Sequence, residues 1–346
     1  MLAKLRPLAM THRAEGTSRL LAVLALLLSG PLAATPFVDS LFRFTETTHT
    51  YSTNAQTDVG TVSLLADVYT PDGVSGDLLP GILFVPGGGL GGTKDDSLPV
   101  GVAEGFARRG YVAAAIDYRN TSINIPANEA GPFDAANPTE RRINAVISDT
   151  TAAVQWFRQN AAQWNMDPNR VILAGSSAGA LVAMMVAYEE LGPETEVAAV
   201  LDLWGSMGGT LNGPGGQNAN LGDRTGLIDA DDPALFMVHG TADTVVPFSL
   251  AQDIEARAQQ EGLLHQLVAI DGAGHSPSTE FFAEPAPEPT YFQQAVNFMN
   301  GALGLSEVSI VPAPPPLVTL ALALILVGSR GWNRPSRRRN AAGAAR

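Results

Sequence analysis

An α/β fold with a doubly wound, mostly parallel sheet is predicted by three features of this 346-residue chain. From Thr61 onward, short apolar runs bounded by Gly and Pro alternate with stretches of helical period. A Gly-Ser-Ser-Ala-Gly turn at 175–179 joins one apolar run to a small-residue helix. A triple glycine at 87–89 leaves the end of another. Residues 35–305 hold no internal repeat and one apolar core, so they read as a single domain.

Val62–Tyr69 alternates in part and has strand composition, and Gly81–Val85 is a short apolar run between Pro80 and Pro86. Ser97 is positioned to cap a helix that turns Val102, Phe106 and Ala107 inward and stops at Gly110. Tyr111–Ile116 is the next strand. Asn137-Pro138-Thr139-Glu140 supplies a cap, an N1 proline and an N3 glutamate. The helix behind it carries Ile143, Val146, Ile147, Val154, Phe157 and Trp164 at helical spacing. Asp167-Pro168-Asn169 reads as a turn into strand Val171–Ala174, and helix Ala178–Tyr188 follows. Further strands fit Ala198–Leu203, Ala234–His239 and Gln266–Ile270. Ser249 and Gln252 are expected to cap a helix ending at Gly262, and Tyr291–Leu303 is the final helix. Strands separated by helices need crossovers, which favours parallel pairing. Two loops, Asn120–Pro138 and Gly208–Gly226, fall near the strand ends where such sheets bind ligands.

Both ends look like addresses. Lys4, Arg6, Arg13 and Arg19 precede an apolar run, Leu20–Leu28, and then Ala33 and Ala34, so residues 1–34 read as a secretory signal peptide. Residues 306–346 hold Val311-Pro312-Ala313-Pro314-Pro315-Pro316, an apolar run Leu317–Val327, and an arginine cluster from Arg330. That run is short for a permanent spanning helix, so a transient membrane association is expected. With these ends set aside, residues 35–329 hold 11 basic and 33 acidic residues, a net charge near −22. Nucleic acid is excluded as a partner of such a surface. The chain has no cysteine, which removes Cys nucleophiles and Cys-based zinc sites and leaves stability to the core.

The chemistry gathers at four places. Ser177 sits at a strand-to-helix turn between small neighbours, where a nucleophile is exposed and the helix N-terminus stabilises negative charge. Glycines 87–89 leave backbone N–H groups free to face a carbonyl oxygen, as an oxyanion hole requires; a phosphate loop is the rival, but no G-x-G-x-x-G or Walker spacing is present. Three histidines follow Ser177. His275 lies on a loop after a strand, at the same sheet edge as the serine; His239 ends its own strand and reads as a backbone-bonding histidine; His265 lies inside or at the start of a strand, at the opposite edge. Asp243, on a turn after strand Ala234–His239, is the acid favoured by chain order; Asp271 is too near His275, and Asp202 lies within or at the end of an earlier strand. The reaction implied is acyl transfer to Ser177 with His275 as base and Asp243 orienting it, which needs no metal or organic cofactor.

In this order the pieces resemble the α/β-hydrolase superfamily from about Val62 to Leu303. The likeness is to the esterase branch with an HGGG-type loop and to feruloyl- and xylan-esterase-like enzymes. It is carried by Asp67–Pro71, Pro86–Gly89, Ile116–Arg119, Asp149, Gly175–Gly179, His239–Asp243 and Gly274-His275. The resemblance implies oxyanion donors at the N–H groups of Gly88, Gly89 and Ala178, structural roles for Asp117 and Asp149, and a small-molecule ester substrate. Pro86 departs from it, since that branch has histidine there, and so does Ala180, where a further glycine is usual. The tail resembles PEP-CTERM sorting signals, with Val-Pro-Ala-Pro for Val-Pro-Glu-Pro, implying export machinery and an exosortase-like protease of a Gram-negative bacterium as partners. A peptidase or amidase with the same triad, or an inactive surface-attached binding or matrix protein, are the alternative functions. The two long loops, with Trp204 and Met207, are expected to shape the substrate site.

Overall fold

The computed structural model describes residues 42–74, 77–189, 191–212, 217–283 and 289–305. The expected signal peptide and the tail with its apolar run lie outside them. Among the described residues ten strands form: β1 (Phe44–Thr57), β2 (Gly60–Pro71), β3 (Leu79–Val85), β4 (Val112–Ile116), β5 (Met166–Ser176), β6 (Ala199–Leu203), β7 (Gly208–Leu211), β8 (Ala219–Asp223), β9 (Ala234–Gly240) and β10 (His265–Ile270). Eight of them make one sheet in the order β1-β2-β4-β3-β5-β6-β9-β10. From β4 to β10 all neighbours are parallel, and β2 pairs antiparallel with both β1 and β4.

Among the described residues six α-helices accompany the sheet: α1 (Ser97–Ala107), α2 (Pro138–Gln159), α3 (Ala178–Tyr188), α4 (Phe248–Glu261), α5 (Ser278–Phe282) and α6 (Tyr291–Ala302). Val146 and Val154 of α2, Val182 of α3 and Ile254 of α4 share the main apolar cluster with Leu83, Val171 and Leu235 of the sheet. On the opposite face α1 meets α6, where the Phe106 and Phe292 rings stand edge to face at 5.4 Å. The central strands β3, β4, β6 and β9 are buried along their whole length, which is why they read as unbroken apolar runs. All described residues fall in one compact unit.

The chain leaves β3 through α1 to reach β4 on one side, then crosses back through α2 to β5 on the other. At that reversal the loops after β3 and β5 diverge and leave a crevice at the strands' C-terminal ends. The glycine loop and Ser177 are the two loops concerned.

Several sequence expectations are corrected. Strand β1 was not foreseen: its Thr-rich stretch leaves most side chains in solvent, so no apolar alternation marks it. The N-cap positions of α1 and α4 are Asp96 and Pro247, neither with a side-chain cap bond, so Ser97 starts α1 and Ser249 and Gln252 lie inside α4. The turn expected at Asp167–Asn169 is a bulge within β5: Asn169 N donates to Asp167 Oδ1 at 2.9 Å, and pairing with β3 skips from Met166 to Val171. Gly208–Gly226 is not a plain loop but holds the antiparallel pair β7–β8. The cap of α2 is as expected, with Asn137 Oδ1 accepting from Thr139 N and Glu140 N at 2.9 and 3.3 Å.

Candidate active site

Ser177 stands between β5 and α3 with φ 51° and ψ −122°, a backbone conformation that favours glycine. Close packing holds it there. A Cβ on Gly175 would collide with the backbone of Gly179, and one on Gly179 with the carbonyls of Val85 and Pro86. Ser177 N donates to Leu203 O at 2.9 Å, tying the turn to the end of β6. Because α3 starts at Ala178, the Ala178 N–H has no acceptor within the helix.

The two loops after β9 and β10 are packed on each other. A Cβ on Gly240 would strike the carbonyls of Ala273 and Gly274, and Ala242 N donates to Ala273 O at 2.9 Å. On the first loop the Asp243 carboxylate is wholly buried. Its Oδ1 accepts from Val245 N and Val246 N at 2.8 and 2.9 Å, which fixes its plane. Its Oδ2 lies 2.7 Å from His275 Nδ1, and His275 Nε2 lies 3.0 Å from Ser177 Oγ. A proton on Nδ1 donated to the carboxylate leaves the Nε2 lone pair for the serine hydroxyl.

The other candidates fall elsewhere. His239 is fully buried and its Nε2 bonds Val246 O at 2.9 Å, the backbone contact expected of it; the same nitrogen is 3.3 Å from Asp243 Oδ2. His265 bonds Leu263 O at the start of β10, and Asp271 accepts from Thr241. Asp149 binds Arg119 through both oxygens at 2.9 and 3.0 Å, and Asp117 Oδ1 accepts from Lys94 N, so both brace the scaffold.

Opposite Ser177 the glycine loop folds back on itself. Gly91 N donates to Gly88 O at 3.0 Å across Gly89 and Leu90, whose φ angles of 60° and 67° make a tight left-handed turn. Among the described residues nothing accepts from the N–H groups of Gly88, Gly89 or Ala178. They border a cavity of about 410 Å3 that also exposes Ser177 and His275. Leu98, Leu181, Trp204, Leu211, Leu221 and Val246 give it apolar walls. Among the described residues that line it, Asp96 is the one acidic side chain and none is lysine or arginine. Of the two loops expected to shape the site, the β7–β8 pair lines the cavity and Asn120–Pro138 does not. The latter is held away by Arg142, which donates to Ile123 O at 2.8 Å, and by Asn144, bonded to both N and O of Phe133. Trp204 lines the cavity, whereas Met207 is buried behind it. Ser177, Trp204 and Ser276 all border the cavity and all have positive φ, so backbone strain is concentrated there.

Beneath the site, Asp202 is fully buried on β6 with Gly205 N on its Oδ1 at 2.7 Å, while Oδ2 has no partner among the described residues. Burial raises its pKa from 3.8 to about 6, against an opposing pull from His239. The folded state therefore holds this proton more tightly than the unfolded chain. The resulting penalty is absent below pH 3.8, grows up to pH 6 and is complete above it. D202N removes the penalty, so its stability relative to the parent improves by about 3 kcal/mol between pH 3.8 and pH 7.5. Urea unfolding at the two pH values measures this; an equal difference at both would refute the ionised buried carboxylate.

Comparison with known proteins bears on this geometry. Residues 66–206 match the model of a family described as BD-FAE, a stretch that includes the glycine loop and Ser177 but stops short of Asp243 and His275. Fumonisin B1 esterase of Sphingopyxis macrogoltabida is 30% identical over 34% of this chain and 21% of its own length. Carboxylesterase NlhH of Mycobacterium tuberculosis is 32% identical over 37% and 34%. A probable isoprenylcysteine alpha-carbonyl methylesterase of Oryza sativa is 25% identical over 61% and 53%. The chain thus spans between a fifth and about half the length of these curated relatives. Among solved structures, Thermogutta terrifontis esterase 2 phosphorylated by paraoxon superposes with a TM-score of 0.56 at 22% identity, covering 78% of this chain and 96% of that one. MGS-M1, an alpha/beta hydrolase from a deep-sea metagenome library, gives 0.55 at 16% identity, covering 76% and 99%. The fold is that of the α/β-hydrolases.

Proposed function

We propose that this chain is a serine hydrolase of carboxylic esters, with Ser177 as nucleophile, His275 as general base and acid, and Asp243 as its orienting carboxylate. One observation carries the reading: a single run of hydrogen bonds joins Asp243, His275 and Ser177 and opens on a cavity bordered by three backbone N–H groups with no acceptor among the described residues. His275 Nε2 takes the Ser177 proton as Oγ attacks the carbonyl carbon. The N–H groups of Gly88, Gly89 and Ala178 receive the oxyanion. His275 then hands the proton to the leaving alcohol, and water repeats the steps on the acyl-enzyme. An ester is favoured over an amide because the relatives bear the names of esterases and lipases.

The apolar walls suit an uncharged acyl or alcohol group. With Asp96 at the cavity and a strongly acidic chain around it, anionic groups are disfavoured. Hydrolysis of neutral p-nitrophenyl esters beside a hemisuccinate ester tests both statements. Expected are turnover on the neutral series, a kcat/KM several-fold lower on the anionic one, and a loss of about 10⁴–10⁶ in kcat for S177A. A folded protein with no turnover and no fluorophosphonate labelling would favour the binding-protein alternative.

The proposal extends to location. The order of charge, apolar run and small residues in 1–34 supports export, and the proline, apolar and arginine segments of 306–346 support surface sorting. Expression in a Gram-negative host should yield a periplasmic or extracellular protein shortened at its N-terminus. An intact chain confined to the cytosol would overturn it.

A further inference from the structure

We infer that Tyr118 is a positioning residue for the oxyanion hole, acting through the first peptide planes of the glycine loop; the inference rests on the proposed role of that loop. Tyr118 lies two residues beyond the end of β4, the strand that pairs with β3 and its glycine loop, and its ring is fully buried. Its hydroxyl lies 2.8 Å from Pro86 O and 3.0 Å from Gly87 O and donates its one proton to this pair of carbonyls. The second contact matters most. In a trans peptide the carbonyl of Gly87 and the N–H of Gly88 belong to one rigid plane and point in opposite directions. Holding Gly87 O down on the Tyr118 hydroxyl therefore aims the Gly88 N–H the other way, toward the cavity.

The loop needs such a fastening. Gly87, Gly88 and Gly89 bring no side chains of their own to anchor it, and positive φ at Gly88 and Gly89 is open to many other glycine conformations. Gly92 N donates to Gly87 O at 3.2 Å, a longer bond from within the same loop. Beyond it, Thr93 N is held by Asp96 and Lys94 N by Asp117, which fix the loop's far end but not the plane before Gly88. Packing against the nucleophile turn restricts Gly87 from above, where a Cβ would meet Ser176 O. Tyr118 is the side-chain contact that sets the rotation of that plane.

The test is Y118F, which keeps the ring and removes one oxygen, compared with Y51F. Tyr51 is also buried and donates at 2.6 Å to Asp117 O, a carbonyl next in sequence but outside the glycine loop. Folded sites are counted by end-point fluorophosphonate labelling, and kcat is expressed per labelled site. Y118F is expected to lower kcat on p-nitrophenyl butyrate about tenfold to a hundredfold, at or below the 10²–10³ lost with an oxyanion donor itself. KM should stay within about twofold, and affinity for a tetrahedral mimic, a trifluoromethyl ketone, should fall by the same factor as kcat/KM. Y51F should leave all three unchanged. Unchanged kcat in Y118F, a loss carried by KM alone, or an equal loss in Y51F would overturn the inference. Should Y118F not fold, G92A disturbs the same carbonyl from the other side, its Cβ falling 2.9 Å from Gly87 O. The same split between kcat and KM then supports the inference, and unchanged kcat overturns it. A parent enzyme without ester turnover would instead overturn the functional reading.

Discussion

Replacing Asp243 by asparagine is expected to lower kcat about 10⁴-fold while the protein stays folded. The Asp243 side chain has two separate tasks. Oδ1 accepts two backbone N–H groups, from Val245 and Val246, and an asparagine oxygen can keep both. That leaves the new amide nitrogen facing His275 Nδ1, where a carboxylate oxygen now lies at 2.7 Å. An amide donates, so the imidazole is driven to the tautomer with its proton on Nε2, and the lone pair is lost from the serine side. The loop stays in place and the base stops working. The check is kcat against pH beside a circular dichroism melt. A loss of less than tenfold, or a collapse of the fold, would argue against this division of roles.

The second large effect is expected at Gly179, a glycine that does not line the cavity. Gly179 lies in the first turn of α3, and a Cβ there would press into the carbonyls of Val85 and Pro86, backbone atoms with nothing flexible to yield. G179A therefore separates α3 from the end of β3, which moves Ser177 and the glycine loop apart. Overpacking of this kind costs about 1–3 kcal/mol. A misplacement near 1 Å costs about a hundredfold in rate. Both should be seen together, as a lower Tm and a lower kcat. Substitution at Gly226, with open space around it and ordinary φ, should show neither. A fully active G179A would mean that the nucleophile turn and the glycine loop do not depend on this contact.

The parts of the fold legible in the sequence are those where local chemistry and burial agree. Helix α3 was bounded to the residue, because its small apolar stretch follows a glycine-serine turn that can be neither strand nor loop. Strands β3, β4, β6 and β9 were found within two residues, since burial on both faces writes an unbroken apolar run. Ser177, His275 and Asp243 were singled out by chain order, and the structure brings their side chains into contact. What was hidden depends on partners distant in sequence. Strand β1 exists because it hydrogen-bonds β2, not because Thr-Glu-Thr-Thr prefers to bury a face. The β7–β8 pair is rich in Gly and Asn, a composition that marks turns, and only its docking over the cavity shows what it does. Tyr118 stood in the motif Ile116–Arg119 with nothing to distinguish it. The available signal is a tyrosine two residues after a buried strand whose neighbour runs into the glycine loop, and a buried hydroxyl must find a partner.

The position of His275 has a consequence for how the protein comes into being. It stands 98 residues after Ser177, on the loop after β10, the last strand of the sheet. During synthesis the glycine loop and Ser177 emerge first, then Asp243, and His275 last. A chain that ends before β10 carries Ser177 without the imidazole proposed to activate it. On the proposed roles, hydrolysis becomes available only after β10 and the loop behind it have joined the sheet.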